Sequence, residues 1–207
     1  MDKPAARIRK GRKFDQVVDG ARRVFLRDGF EGASVDDIAR AAEVSKATLY
    51  KYFPDKRLLF VEVASAQCRE QARVTLDRVD MSKPPRDVLC VVARQFLTFL
   101  FSDMGQSIFR ICVAEADRFP ELGREFYRCG PMVMRDALTD YLRQAAARGE
   151  LRIDDFELAA DQFAELCKAD LWSRLIFGIA RSVSECERQR VIDGAVETFL
   201  ARFGTQG

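Results

Sequence analysis

The chain of 207 residues contains no histidine, and this absence removes most enzyme classes from consideration. Imidazole is the commonest general base and a frequent metal ligand near neutral pH. Catalytic triads that need histidine and the usual zinc sites are therefore excluded, which leaves only all-cysteine or carboxylate alternatives. We expect no metal, no cofactor and no enzymatic activity.

Closely spaced cysteines and long apolar runs are also missing. The six cysteines, at positions 68, 90, 112, 129, 167 and 186, form no CxxC pair; we expect small buried apolar residues, and one oxidant-sensing pair is the alternative. The longest apolar runs, 88–93 and 175–180, have six residues, against about 18 to 20 needed to cross a bilayer. The start of the chain is charged and has no apolar stretch behind it, so we expect no secretory signal and a cytoplasmic location.

Positive charge is concentrated near the N-terminus. Residues 1–57 carry 14 Lys or Arg and 9 Asp or Glu, a balance of +5, whereas the rest of the chain carries −3. Residues 1–13 alone contain six basic residues and one acid, and are predicted to form a flexible arm. Such an arm can lie along DNA phosphates, and the alternative is a merely solvated tail.

Apolar residues recur at helical spacing along the whole chain, which predicts an all-α fold. The first helix places Phe14, Val17 and Ala21 on one stripe and is expected to end at Gly29, where a glycine can adopt positive φ. The next helix begins after Ser34. The Ser34 hydroxyl can cap that helix, and acids follow in its first turn, where the helix dipole favours negative charge.

Residues 35–52 have the pattern of two short helices that cross at a steep angle. Residues 43–45 form the turn, where Val44 fills the space between the helices and Ser45 caps the second one, which ends before Pro54. Together with the first helix they make a three-helix head, predicted for residues 14–57. Small Ala39 is expected where the two helices approach closely. Any helical hairpin with a three-residue turn has the same spacing, so the exposed residues must decide.

The exposed residues of the second helix favour DNA. They combine small side chains, which permit close approach, with hydroxyl and ammonium donors for base edges and phosphates. These residues are Lys46, Ala47, Thr48, Tyr50 and Lys51. Tyr52, by its helical spacing, is predicted to belong to the core.

Residues 34–60, SVDDIARAAEVSKATLYKYFPDKRLLF, resemble the DNA-binding signature of the TetR/AcrR family of bacterial transcriptional regulators. The resemblance covers residues 14 to about 60, and the chain length also suits the family. At Glu43 the chain departs from the family pattern, which usually has glycine there. A non-glycine residue held at positive φ costs on the order of 1 kcal/mol, so the turn is expected to be either slightly strained or adjusted in conformation.

The resemblance also implies roles for individual residues. Those facing the major groove would be Lys46, Ala47, Thr48 and Lys51, and those contacting phosphates would be Ser34, Tyr50 and Lys56. Ser34 and Lys56 lie at predicted helix N-termini, where unpaired backbone N–H groups favour an anion. With the capping residue of the second helix, the predicted DNA-binding set is Ser34, Ser45, Lys46, Ala47, Thr48, Tyr50, Lys51 and Lys56.

Beyond the head, the pattern predicts six more helices, about nine in total, which form a ligand-binding and dimerisation domain over residues 58–207. Their expected bounds are 54–79, 84–102, 107–116, 120–148, 155–179 and 183–203. Pro131 falls inside the fourth of these patterns and removes a backbone donor. The pattern there predicts either a kink near Gly130 or a boundary between two helices.

The last two predicted helices are too apolar for a single buried face. A monomer core can cover one side and a twofold partner the other, as in a four-helix bundle, and the resemblance implies the same homodimer. The residues predicted at the dimer interface are Phe163, Leu171, Leu175, Ile192, Val196, Phe199, Leu200 and Phe203.

Aromatic and sulfur-containing residues of the larger domain suggest a pocket for a hydrophobic or planar molecule. The candidate ligand contacts are Phe96, Phe99, Cys112, Tyr127, Met134, Phe163 and Trp172. At helical spacing these residues suit a core equally well. Glu115, Glu165 and Asp170 lie near apolar stretches and would suit a cationic ligand if they were buried.

The predicted function is a homodimeric, sequence-specific regulator of transcription, most simply a repressor. A small effector of unknown identity would release it from a palindromic operator in double-stranded DNA. Two alternatives stay open: a helical small-molecule-binding protein, and an architectural protein that binds DNA without sequence preference. No membrane partner is expected.

Overall fold

A computed structural model describes residues 11–205, except for the side chains of residues 68, 70–78 and 121. Most of the predicted basic arm, residues 1–10, therefore lies outside the described residues. The described part forms eleven helices. Their bounds are α1 Arg12–Gly32, α2 Val35–Ala41, α3 Lys46–Tyr52, α4 Lys56–Arg78, α5 Pro85–Leu100, α6 Asp103–Ala114, α7 Pro120–Cys129, α8 Pro131–Ala147, α9 Phe156–Cys167, α10 Leu171–Ile176 and α11 Glu185–Phe203.

The predicted all-α fold is confirmed. Over residues 11–205, the extended pairing is limited to one isolated antiparallel bridge, between Leu151 and Gly204, which ties the end of α11 to the loop after α8. No single described helix is both long and apolar enough to span a membrane. Taken together, α5 and α6 meet the same criteria of length and composition, but the pair is bent by 68°.

The head consists of α1, α2 and α3, and local sequence accounts for its turns. Gly29 adopts φ 69° and interrupts α1 three residues before its end. Ser34 and Ser45 cap α2 and α3, because each hydroxyl oxygen accepts a hydrogen bond from the backbone N–H three residues on. Glu43 lies at φ 53°, so the left-handed conformation expected at the turn is present in a non-glycine residue.

One glycine sets the distance between α1 and α2. A Cβ atom added at Gly20 would lie 2.6 Å from both Cα and Cβ of Ala42, so no larger residue fits without displacing backbone. Ala39, the small residue expected at a close helix crossing, is buried. The tightest approach nevertheless involves Gly20, on the first helix. Because Ala42 opens the turn that leads to α3, this contact also fixes how α3 is presented.

Two clusters of buried apolar residues hold the molecule together. The first joins Phe14, Ile38 and Leu49 of the head to residues of α4, α6 and α7, among them Phe60 and Ile111. The second lies between α5, α8, α9 and α11. Packing of the head therefore continues past the predicted boundary at residue 57, and α4 shares a core with the head.

Two of the predicted helices are each divided in two, which raises the count from about nine to eleven. Residues 120–148 form α7 and α8, and Pro131 begins α8, where its missing N–H costs no helical hydrogen bond. Of the two alternatives at Pro131, the structure has the boundary. The single helix predicted for residues 155–179 is wrong: α9 and α10 are separate, and Asp170 between them adopts φ 61°. No proline or glycine marks that break, so the spacing of apolar residues predicted one continuous helix across it.

Candidate nucleic-acid interface and ligand cavity

The outward face of α3 carries most of the side chains predicted to contact DNA. Leu49 is buried and holds the helix against the head. Tyr52 packs edge-on against Phe14, with ring centroids 5.9 Å apart, so it belongs to the core as predicted. The exposed residues of α3 are Lys46, Ala47, Tyr50 and Lys51, with Thr48 half-buried beside them. This face offers the donors that base edges and phosphates accept.

Ser34 and Ser45 use their hydroxyls to cap their own helices. Ser34 Oγ lies 3.0 Å from the backbone nitrogen of Asp37 and 2.6 Å from its Oδ2. The hydrogen bond from Ser34 is the main cause that lowers the pKa of Asp37. Ser45 Oγ lies 3.1 Å from the nitrogen of Thr48 and 2.9 Å from its Oγ1. Both serines therefore fix the N-terminal ends of α2 and α3. A serine hydroxyl that also contacted a phosphate would do so in addition to its capping hydrogen bond.

Lys46 is paired within the protein. Its ammonium contacts the carboxylate of Asp36 in the first turn of α2, and the two side chains are 60% and 55% exposed. An exposed pair of this kind contributes little to stability, so Lys46 can leave it for another anion. Asp36, however, places a negative charge beside the surface predicted to meet DNA.

Lys56 has an internal role instead of the predicted phosphate contact. Its ammonium donates to the carbonyl oxygens of Phe30 at 2.9 Å and Ala33 at 3.1 Å, and lies 4.4 Å from the centre of the Phe30 ring. The carboxylate of Asp55 occupies the N-terminal end of α4, where it accepts from the backbone N–H of Arg57 at 2.8 Å. Lys56 therefore ties α4 to the connection between α1 and α2.

A partly open cavity of about 520 Å³ is lined by residues of α5 to α10 and of the segment before α5. Cys112 and Phe163, two of the predicted ligand contacts, do not line it. Cys112 lies in the first cluster, with its thiol 3.9 Å from the carbonyl oxygen of Leu122, and Phe163 packs on Phe199 in the second cluster. The other five predicted contacts do lie on the wall: Phe96, Phe99, Tyr127, Met134 and Trp172. Core and cavity residues share the same helical spacing, so the sequence could not separate them.

Several residues of the cavity wall were not predicted from the sequence. Gly130 and Pro131 also line the cavity, so the break between α7 and α8 helps to open it, and Pro131 was the cue available in the sequence. Tyr141 is buried, its hydroxyl donates to the carbonyl oxygen of Lys83 at 3.1 Å, and burial raises its pKa to about 12. The missed residues with aromatic or polar side chains include Phe126, Arg135, Tyr141 and Lys168.

The buried thiols of Cys112, Cys129 and Cys167 have raised pKa values. Burial raises the pKa of Cys112 to about 11 and that of Cys167 to about 12. Thiols of such high pKa remain protonated at neutral pH and are poor nucleophiles and metal ligands. Over the described part of the chain, no three His, Cys, Asp or Glu side chains are grouped so that they could hold a metal ion.

Most residues predicted at the dimer interface are buried inside the single chain. Leu200 and Phe203 are half-buried. The other six, at most 2% exposed, are Phe163, Leu171, Leu175, Ile192, Val196 and Phe199. Their side chains cannot reach a partner, which corrects the prediction. The apolar girth of these helices is explained by packing within one chain. Their outward faces instead carry Leu158 on α9 and Gly194, Thr198 and Ala201 on α11.

Helix α6 connects the cavity with the head. At the cavity, Phe109 packs edge-on against Trp172, with ring centroids 5.0 Å apart. The next residue, Arg110, donates to a carbonyl oxygen of α10 at 2.7 Å. Just after the other end of α6, Glu115 forms an ion pair with Arg57 at the start of α4. A displacement of α6 would therefore change contacts at both places.

Two short capped helices crossing at a tight turn, carried on a helical body with an apolar cavity, define a helix-turn-helix regulator of transcription. Two family models match the chain. Residues 17–63 match the bacterial regulatory proteins of the tetR family, and residues 87–205 match the C-terminal domain of AefR-like transcriptional repressors. The second match alone covers more than half of the chain, and the protein belongs to the TetR family.

Solved structures share this fold over nearly the whole chain. A TetR-family transcriptional regulator from Mesorhizobium loti has a TM-score of 0.80 and 28% sequence identity, and the match covers 94% of this chain and 98% of that chain. The flavonoid-responsive regulator FrrA has a TM-score of 0.71 and 35% identity, with 96% of this chain and 100% of that chain covered.

Similarity to curated proteins extends over shorter segments. The negative transcriptional regulator IcaR of the biofilm operon icaADBC of Staphylococcus aureus is 33% identical over 54 residues, which is 26% of this chain and 28% of that protein. The transcriptional regulator LuxR of Vibrio harveyi is 27% identical over 101 residues, or 49% of each chain. The chain thus spans at most about half the length of these two relatives.

Proposed function

We propose that the protein is a sequence-specific DNA-binding regulator that represses transcription. The observation that carries this proposal is the exposed face of α3, whose angle is fixed by a serine cap at its start and by the buried Leu49. In helix-turn-helix proteins the second helix of the motif enters the major groove, and its first residues reach base edges. Membership of the TetR family and relatives named as repressors support the same function.

Within α3 we assign separate roles to the exposed side chains. Lys46, Ala47, Thr48 and Lys51 face the major groove, where ammonium and hydroxyl groups bind base edges and adjoining phosphates and a small alanine permits close approach. Tyr50, which is 48% exposed, donates its hydroxyl to a phosphate. Ser34 and Ser45 direct the backbone N–H groups of their helices toward the phosphate backbone.

The operator is bound by a homodimer. One short recognition helix reads only a few base pairs, and a twofold dimer doubles the site into a palindrome. We place the interface on the outward faces of α9 and α11, which are continuous with the half-buried Leu200 and carry the exposed Leu158, Gly194 and Thr198. Small residues such as Gly194 allow two helices to approach closely, as a four-helix bundle requires.

A small molecule in the cavity releases the repressor from DNA. A volume of about 520 Å³ is within the range of ligand pockets, roughly 300–1,000 Å³, and the aromatic wall suits a hydrophobic or planar molecule. The related regulator FrrA is flavonoid-responsive, and flavonoids are planar aromatic compounds. An effector that prefers a conformer with displaced α6 would shift the head through the Arg57–Glu115 pair. A preference of about 100-fold supplies roughly 2.7 kcal/mol of coupling.

A regulator of this kind acts in the cytoplasm, where it meets chromosomal DNA, and needs no enzymatic activity. Selection of duplexes from a random pool at one fixed salt concentration tests the function. We expect a palindrome whose half-sites lie about 10 base pairs or more apart, bound about 1,000-fold or more tightly than a scrambled duplex. Equal affinity for every duplex would indicate an architectural protein, and no DNA binding would leave only the small-molecule-binding alternative.

A further inference from the structure

Two cationic groups on the cavity wall are largely withdrawn from solvent. The side chains of Arg135 on α8 and Lys168 after α9 are 23% and 25% exposed. The two acids on the same wall are more exposed, since the Glu165 side chain is 71% exposed and Asp161 is also exposed. The cations that line the cavity are therefore less accessible to bulk solvent than the acids that line it.

Arg135 is a donor without a hydrogen-bond acceptor in the part of the chain that the structure describes. Its Nε is buried and unpaired. The carboxylate of Asp136, which is 64% exposed, forms an ion pair with Arg135 Nε at 3.6 Å, a distance too long for a hydrogen bond. A buried N–H of a charged group that has lost water and gained no acceptor is unfavourable. Lys168 differs, because its ammonium donates to Glu165.

The other walls of the cavity supply no competing anion. They are formed by aromatic and aliphatic side chains such as Phe96, Phe99 and Trp172. Glu115 and Asp170, two of the acids that would suit a cationic ligand, do not line the cavity. Glu165, the third, lines the cavity, but it is 71% exposed and already paired with Lys168. The chemistry of the wall thus favours an anion over a cation.

We propose that the effector is an amphipathic organic anion, whose carboxylate or ionised phenol binds to Arg135 while its apolar body fills the aromatic part of the cavity. The guanidinium presents two parallel N–H donors, a geometry that matches a carboxylate. The apolar surroundings strengthen such a bond, because little water competes for it. This inference rests on the proposed function only in taking the cavity as the effector site.

Trp172 provides a direct readout, because it is the one tryptophan of the chain and lies on the cavity wall. The full-length protein is titrated with decanoate, 1-decanol and decyltrimethylammonium, which share an alkyl chain and differ in the charge of the head group. We expect decanoate to bind about 10-fold or more tightly than decanol, and the cation to bind least tightly. Equal affinities for decanoate and decanol, or tightest binding of the cation, would overturn the proposal.

Substitutions at Arg135 separate charge recognition from shape. Arg135→Gln should weaken decanoate binding by about 10-fold to 100-fold and leave decanol binding unchanged, whereas Arg135→Lys, which keeps the charge but lacks the two parallel donors, should show an intermediate loss of decanoate affinity. Arg143→Gln, on the same helix with a side chain 54% exposed and off the cavity wall, is the matched control and should bind both compounds like the wild type. If Arg135→Gln loses affinity for both compounds equally, or for neither, Arg135 does not recognise an anion.

Operator binding is measured separately, so that the two proposals can fail independently. If neutral compounds release the operator while decanoate binds equally tightly to the wild type and to Arg135→Gln, the anion proposal fails and the repressor proposal stands. If decanoate binds through Arg135 and the protein binds no DNA, the anion site stands and the repressor proposal fails.

Discussion

Single charges on the surface of the head determine how strongly it attracts DNA. The pair between Lys46 and Asp36 places one cation and one anion on the face proposed to meet the duplex. Asp36→Asn keeps the shape of the side chain, removes the anion and leaves Lys46 available to a phosphate. We expect several-fold tighter binding to all duplexes, and a slope of log affinity against log salt that steepens by about 0.9 for each new phosphate contact.

The control for this variant is Asp140→Asn, on α8 and 72% exposed, which removes the same charge far along the chain from the head. Both variants should have wild-type thermal stability within about 0.5 kcal/mol, as exposed ion pairs contribute little. A salt slope that does not differ between Asp36→Asn and the control would mean that Lys46 makes no phosphate contact.

Backbone strain at Glu43 gives a prediction about stability. Glu43 is exposed and adopts φ 53°, a conformation that costs a non-glycine residue on the order of 1 kcal/mol. Glu43→Gly should therefore raise the free energy of unfolding by about 0.5 to 1 kcal/mol, after allowance for the larger entropy of the unfolded chain. Chemical denaturation measures this. Glu43→Ala keeps the strain and should show no gain; equal stabilisation by both variants would refute the strain.

Residue roles that depend on local sequence were predictable, and those that depend on distant partners were not. The serine caps and the strained turn follow from residues three or four positions apart. The role of Lys56 depends on carbonyl groups 26 and 23 positions earlier in the chain. The position of Arg135 on the cavity wall likewise depends on how α8 is rotated about its axis. The spacing of apolar residues in α8 does not specify that rotation.

At the scale of helices, the outward faces of α9 and α11 test the proposed dimer. Gly194 on α11 is exposed, and an added Cβ would meet no atom within 4 Å, so Gly194→Arg should fold. Arginine also has the higher helix propensity. At a packed two-helix interface, however, the bulky cation would prevent close approach. We expect sedimentation to show a monomer with the helical content of the wild type.

Gly123→Arg is the matched control for that experiment. Gly123 lies in α7, a Cβ there would also meet no atom within 4 Å, and the substitution adds the same charge and volume. It should remain a dimer. If Gly194→Arg also remains a dimer at concentrations where the wild type is one, the interface does not use this face of α11.

The helix pattern indicated where most elements lie, and failed where a helix ends without a local signal. Pro131 indicated an interruption between α7 and α8, although not whether it was a kink or a boundary, whereas the break at Asp170 has neither proline nor glycine near it. Apolar residues around the whole girth of a helix were interpreted as a dimer face. In the structure they are satisfied inside one chain, because α9 packs against α5, α8 and α11 at once. The spacing of apolar residues indicates how much of a helix surface is buried. It does not indicate whether the same chain or a partner chain covers that surface.

At the scale of the whole molecule, release from DNA by a ligand depends on a structural link between the cavity and the head. The contacts that carry the link are those of Phe109, in the middle of α6, with Trp172 and of Glu115, just after the end of α6, with Arg57. By thermodynamic linkage, a ligand that weakens operator binding must itself bind less tightly when the operator is bound, and by the same factor.

The most direct test is a titration with decanoate followed by Trp172 fluorescence, with the protein free and with the protein saturated with its selected operator. We expect the operator to weaken decanoate binding by about 10-fold to 100-fold, and decanoate to weaken operator binding by the same factor. Equal affinity for decanoate in the two states would contradict the link between cavity and head.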